Sequence, residues 1–326
     1  MIKNYFKIAW RNLWKNKLFS FINIMGLGLA IPFALISIMQ AIEMYEFDNF
    51  HPKAGRIYRI RTDVTDNNGN KTKYASSPYF LSGQLKDNYP CVEKSTKVLR
   101  DYDWELSNRM KAIRVNSIYV EPAFFEIFNF SFEKGSLPVL PNTLALSHEM
   151  AAIFFGDANP VGKTLSHPKL GDFVVTGVLK PFKRATQFRS DAMVSMATYT
   201  SFNKPETGPA SWTKYDAQSF VLLEPNSNIQ SLNTAIANIS KITNASLEPY
   251  KQKNLFVAQA LSKISPDFED LKNNAYVESL SDMMINFGLG IMIIILAGFN
   301  YTNLTLARSL SRAKEVGVRK TSGALR

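Results

Sequence analysis

Two long apolar runs frame the chain. Residues 18–42 and residues 283–307 each hold 25 consecutive positions without Asp, Glu, Lys, Arg or His. At about 1.5 Å per helical residue either run exceeds a hydrocarbon core of roughly 30 Å. Both are predicted to be membrane helices, and the first is too long for the apolar part of a signal peptide and lacks a cleavage pattern behind it. Gly26, Ala30 and Ala34 recur every four residues on one face of the first, a spacing of small residues that lets a second helix approach closely. Pro32 lies among them, tolerable where neighbouring helices satisfy the carbonyl it frees.

Between the runs, across residues 43–282, the periodicity changes repeatedly. Alternation of polar and apolar positions predicts a strand over 56–62, and strands are read as well over 92–99, 112–120, 172–180, 220–223 and 255–261. Helical spacing predicts helices over 78–89, with Ser76 or Ser77 as cap, over 122–128, over 148–155 behind a Ser147 cap, and over 229–242. Asp66 to Asn70 reads as a turn. Strands and helices mixed without a repeating βαβ period imply an α+β domain in two lobes, inserted between the two transmembrane helices.

Charge orients this arrangement. The net charge of +11 is concentrated at the ends: residues 1–20 carry five Lys or Arg and no acid, and residues 308–326 carry six with one acid, leaving 27 bases against 26 acids elsewhere. Basic flanks lie on the cytoplasmic side of a membrane helix, so the N terminus is expected in the cytoplasm and residues 43–282 outside it. Residues 1–17, with Lys3, Lys7, Arg11 and Lys15 beside Phe6, Trp10, Leu13 and Trp14, read as an amphipathic helix on anionic lipid. No basic stripe with interleaved aromatics crosses the middle, which argues against nucleic-acid binding.

Candidate chemistry is sparse. One cysteine, Cys91, precludes an intrachain disulfide. Gly156 to Thr164 imitates a phosphate-binding loop, but five residues separate Gly156 from Gly162 where four are needed, and Pro160 removes a backbone donor; a helix-to-strand turn is expected instead. His148-Glu149 lacks the second histidine of a zinc helix, position 152 being Ala. No Gly-x-Ser-x-Gly elbow is present. No metal or cofactor is expected, and no catalysis.

The tail LARSLSRAKEVGVRKTSGALR resembles the segment after the second membrane helix of MacB-like and FtsX-like ABC transporter permeases. FDNFHPKAGRIYRIRT, LSHEMAAIFFGDANPVGKTL and DFVVTGVLKPF resemble parts of the same family's periplasmic domain. The resemblance implies that residues 308–326 are a cytoplasmic coupling segment, within which this chain stops short of the family's further membrane helices. Arg312, Lys314, Glu315, Val316, Gly317, Arg319, Lys320 and Gly323 would engage a separate cytoplasmic ABC ATPase subunit, the charged ones as ion-pair partners and Gly317 for close approach. It further implies a multi-pass protein of the bacterial inner membrane, bounded by membrane lipids, working as a homo- or heterodimer of permeases and meeting a periplasmic adaptor or cargo. By the family's mechanism, ATP hydrolysis would move the coupling segment and the membrane helices would carry that movement outward. Topology alone fits a second reading, a two-span sensor with an extracytoplasmic ligand domain, but a sensor needs a relay such as a heptad-patterned coiled coil after its second helix, which this tail lacks.

Overall fold

The computed structural model describes residues 4, 10, 11, 14, 17–108, 110–275 and 280–322. The chain divides into two units, Met1–Ile42 with Leu280–Arg326, and Glu43–Ser279. Of the predicted N-terminal amphipathic helix, Trp10, Arg11 and Trp14 are helical and exposed, whereas Lys3, Phe6, Lys7, Leu13 and Lys15 lie outside the described residues. Helix α1 (Lys17–Glu46) continues through Pro32 and carries the first apolar run; Ser20–Glu46 is long and apolar enough to cross a membrane.

The unit Glu43–Ser279 is built on one sheet. Its elements are β1 (Ile57–Thr65), β2 (Lys71–Tyr74), α2 (Leu81–Asn88), β3 (Val92–Ser107), β4 (Ala112–Val120), α3 (Pro122–Phe128), β5 (Phe132–Gly135), β6 (Thr143–Leu146), α4 (His148–Phe155), β7 (Thr164–His167), β8 (Gly171–Leu179), β9 (Ala192–Ser195), α5 (Met196–Phe202), β10 (Gln218–Leu223), α6 (Ile229–Ser246) and β11 (Lys253–Ala260). Strands follow the order β11-β1-β10-β3-β4-β9-β6-β8-β5, with β2 on β1 and β7 on β3 and β8. Pairing is antiparallel except for β4 with β9 and β6 with β8. The two expected lobes therefore share a continuous sheet. One end packs α2 and α6 through Leu81, Leu85, Leu232, Ile236 and Ile239 onto Ile60, Val221 and Phe256; the other packs α4 through Met150 and Phe154 onto Leu144, Val175 and Trp104.

Local chemistry explains most boundaries. Ser147 Oγ accepts from the amide of Met150 and starts α4, and Asn228 does the same for α6 through Ser231, satisfying donors that a helix start leaves unpaired. Asp66 Oδ1 accepts from the amides of Asn68 and Asn70 to close the β1–β2 turn. Helix α2 departs from expectation: its cap position is Phe80, with no side-chain bond. Ser76 and Ser77 are instead buried, with Ser76 Oγ donating to Tyr215 O and Ser77 Oγ to Ser219 Oγ. They stitch the approach to α2 against β10, because Ser77 pairs with Ala217 as an isolated bridge.

Helix α7 (Leu280–Thr321) follows the domain and runs unbroken for 42 residues, roughly 63 Å at the helical rise. Its apolar part is Met284–Asn303. Within the helical unit α1 and α7 touch along small residues. Ala30 and Ser37 on α1 and Gly290 on α7 are buried, and Gly26 and Ala34 are half-buried. A Cβ built on Gly290 would stand 3.2 Å from Ser37 Oγ.

Candidate functional site

The polar interior of the domain lies where the chain comes in and where it goes out. On the sheet face that buries Ile57 and Phe220 against α3, alternate residues of β1, β10, β3 and β11 carry Arg59, Gln218, Arg100 and Gln259. Side chains two apart on a strand share a face, so this patch continues the apolar core beneath α3. Arg59 is fully buried. Its Nη1 donates to Asn274 Oδ1 at 2.7 Å, and its Nε and Nη2 grip Gln259 Oε1 at 3.2 and 2.7 Å. Burial pushes its pKa down to about 9, against the pull of Asp267, so the guanidinium stays charged at neutral pH.

The lid over this patch is the segment that leads toward α7. Asp267 Oδ2 accepts from Asn274 Nδ2 at 2.6 Å and from the amide of Leu271. Asn273 donates to Tyr215 O at 2.7 Å, and its own carbonyl receives Gln218 Nε2. Lys272 O accepts from the amide of Ala75 at 2.8 Å. At the edge, Glu269 takes Arg61 and Lys73 together, and their hydrogen bonds hold its carboxyl below the usual range. The outgoing segment is thus fastened by side chains from β1, β2 and β10.

The incoming segment has its own anchor. Just beyond α1, Asp48 adopts φ +56° and is completely buried. Its amide donates to Ala185 O at 3.4 Å, and its Oδ2 accepts Gln187 Nε2 at 2.7 Å. His51, three residues on, lies 2.7 Å through Nδ1 from Phe128 O and 3.5 Å through Nε2 from Asp48 Oδ1. Asp48 is among the charges that act on Arg59 and Arg100, which links the two anchors electrostatically. FDNFH and RIYRIR, which carry Asp48, His51, Arg59 and Arg61, stood out in the sequence only as a resemblance to the periplasmic domain, and no residue of this cluster was singled out. The partners Asn274, Asp267 and Gln187 carry no local signal.

The residues expected to contact an ATPase sit in the last third of α7. Lys314, Val316, Gly317 and Arg319 are exposed, and nothing lies within 4 Å of a Cβ placed on Gly317. Arg312, Glu315 and Lys320 are helical in the same stretch, while Gly323 lies outside the described residues. The glycine loop that imitates a phosphate cradle is a helix-to-strand turn: the amide of Gly162 donates to Val175 O and that of Lys163 to Pro160 O, so these donors are already committed. His148 Nδ1 meets Glu133 Oε2 at 2.7 Å. Among the described residues no three His, Cys, Asp or Glu side chains converge as a metal site. A cavity of about 400 Å³ beside Phe80, Gln84, Pro209 and Trp212 has no acidic or basic side chain in its lining.

The profile of the MacB-like periplasmic core domain matches residues 20–239. Among solved structures, a domain assigned to a permease protein from Porphyromonas gingivalis is similar at 17% identity and a TM-score of 0.55, covering 72% of this chain and 98% of its own. The periplasmic region of MacB from Actinobacillus actinomycetemcomitans is similar at 12% identity, TM-score 0.46, covering 63% of this chain and 90% of its own. The extracellular domain of the noncanonic ABC-type transporter YknZ from Gram-positive bacteria is similar at 13% identity, TM-score 0.43, covering 61% of this chain and 99% of its own. No curated protein matches the sequence.

Proposed function

The chain belongs to the family of the MacB-like periplasmic core domain, and from that premise we propose that it is a permease subunit through which a separate cytoplasmic ABC ATPase acts on the extracytoplasmic side of a bacterial inner membrane. The observation that carries the proposal is the continuity of α7. A single helix joins the stretch that carries the exposed Lys314, Val316, Gly317 and Arg319 to the apolar run Met284–Asn303 and begins shortly after the segment clasped by Arg59. A helix resists bending, so a partner that displaces its basic end moves the other end too.

In this reading α1 and α7 cross the membrane, exposing side chains such as Leu29 and Leu296 to lipid. The N terminus and the end of α7 lie in the cytoplasm, consistent with their positive charge. Lys314, Glu315, Arg319 and Lys320 pair with charges on the ATPase, while Val316 and Gly317 supply the close contact. A second permease copy and an adaptor or cargo outside the membrane complete the assembly. The chain is then a transmitter without chemistry of its own.

The test is Glu315→Arg in the full chain, reconstituted with its ATPase in proteoliposomes. Membrane insertion should be unchanged and stimulation of ATP hydrolysis by the permease lost. Undiminished stimulation overturns the assignment of the coupling segment.

A further inference from the structure

The turn behind α1 contains two polar atoms that no protein group satisfies. Asp48 Oδ1 and His51 Nε2 face each other at 3.5 Å on side chains no more than 1% exposed, and neither has a hydrogen-bond partner. The opposite ring nitrogen fixes the tautomer. Nδ1 lies 2.7 Å from Phe128 O, and a carbonyl oxygen only accepts, so Nδ1 carries a hydrogen in every state of the ring. Nε2 is then either bare or protonated. When bare, its lone pair confronts a carboxylate and neither atom has a protein partner. When protonated, one N–H satisfies both atoms at once and creates an ion pair.

We propose that His51 and Asp48 form a proton-binding site, and that uptake of one proton clamps the turn that follows α1 onto the domain. The carboxylate is prepared for this: Gln187 Nε2 occupies Oδ2 at 2.7 Å and leaves Oδ1 for the imidazole. The site is shaped on its remaining sides by rings, with centroids of Phe50, Phe128, Phe130 and Phe188 at 4.3, 5.1, 5.2 and 6.3 Å from that of His51. The charged groups that bear on it are Asp48 itself, Arg59 from β1 and Arg100 from β3, on both of which Asp48 acts, and Asp267, which offsets the burial of Arg59. The arginines oppose an added positive charge, and Asp48 at 3.5 Å favours it.

The proton comes from solvent and converts imidazole to imidazolium, with no other bond changed. The clamp closes on acidification and opens as pH rises. The geometry stands whether or not an ATPase drives the chain. On the topology proposed above, and resting on it, the acidity the site reads is that outside the cytoplasm.

The experiment is ¹⁵N NMR of the full chain in phospholipid nanodiscs with labelled histidine. The sequence has three histidines, and His148→Gln and His167→Gln assign His51 by subtraction. Between roughly pH 8 and pH 5, His51 should pass from the neutral form with hydrogen on Nδ1 to imidazolium. In Asp48→Asn that transition should need at least tenfold more protons. A His51 that keeps one protonation state across that range in the wild type, a neutral form with hydrogen on Nε2, or an unshifted transition in Asp48→Asn overturns the proposal. The wild-type titration is decisive even if the variant fails to fold.

Discussion

Arg59 of the first strand and Asn274 of the outgoing segment are joined by a 2.7 Å hydrogen bond inside the protein, 215 residues apart in the chain. The bond ties the body of the domain to the stretch that leads to α7. Under the proposed function that stretch passes movement and needs to be stiff, and a charge-assisted contact from a buried side chain is stiffer than a solvated one.

Arg59→Ala should destabilise the domain by on the order of 3 kcal/mol, because it leaves a void where a fully buried side chain stood, strands the half-buried Asn274 and Gln259 acceptors and leaves Asp267 without its opposing charge. Thermal unfolding of the full chain in detergent reads this directly. A loss of under about 1 kcal/mol would mean that the outgoing segment is held by its backbone bonds alone.

Glu269 predicts an acid limb. Hydrogen bonds from Lys73 and Arg61 hold its carboxyl below the ordinary 4.5, so its contribution is present above that value in the folded chain. It is lost as pH falls through the lowered one. Amide protection over residues 265–275, taken relative to the intrinsic exchange rate at each pH, should fall below the usual glutamate range, and Glu269→Gln should flatten that dependence. An identical profile in the variant would assign the acid response to another group.

The contact between α1 and α7 is testable by cross-linking. Ser37 Cβ lies 3.7 Å from a Cβ placed on Gly290, close to the mean Cβ separation of about 3.8 Å in disulfides. With Cys91 replaced by Ser, the pair Ser37→Cys and Gly290→Cys should oxidise to an intrachain bridge in membranes. Shifting one cysteine to Leu289 should abolish it. Equal yields from both pairs would contradict the packing face.

Gly135 is predicted to be irreplaceable. It has φ +71°, and a Cβ there would come within 2.1 Å of Thr176 O. Gly135→Ala should cost more than about 2 kcal/mol by combining left-handed strain with a backbone clash. A near-neutral effect on thermal unfolding would show that the β5–β8 edge yields easily.

Short-range signals account for most of what could be read early. The helices at Pro122–Phe128 and His148–Phe155 agree with their sequence expectations residue for residue, since a proline at the first turn and a serine cap act within four positions. Strands β6 and β9 were not legible. Each is four residues long and buried throughout, and a short strand covered on both faces loses the alternation that marks a strand. β3 runs eight residues past its expected end because Trp104 to Ser107 pair with β4 beyond a register shift.

The sequence by itself determined the two uncharged runs, the basic ends and the mixed domain between them, because composition and period act along the chain and need no partner. Tertiary structure alone decided that Arg59 would meet Asn274, that Ser37 would meet Gly290, and that Asp48 and His51 would share a sealed cage of aromatic rings. Strand order brings those groups together across long separations. Only after water is excluded does a charged or unpaired side chain acquire the energetic weight that makes it a candidate for function.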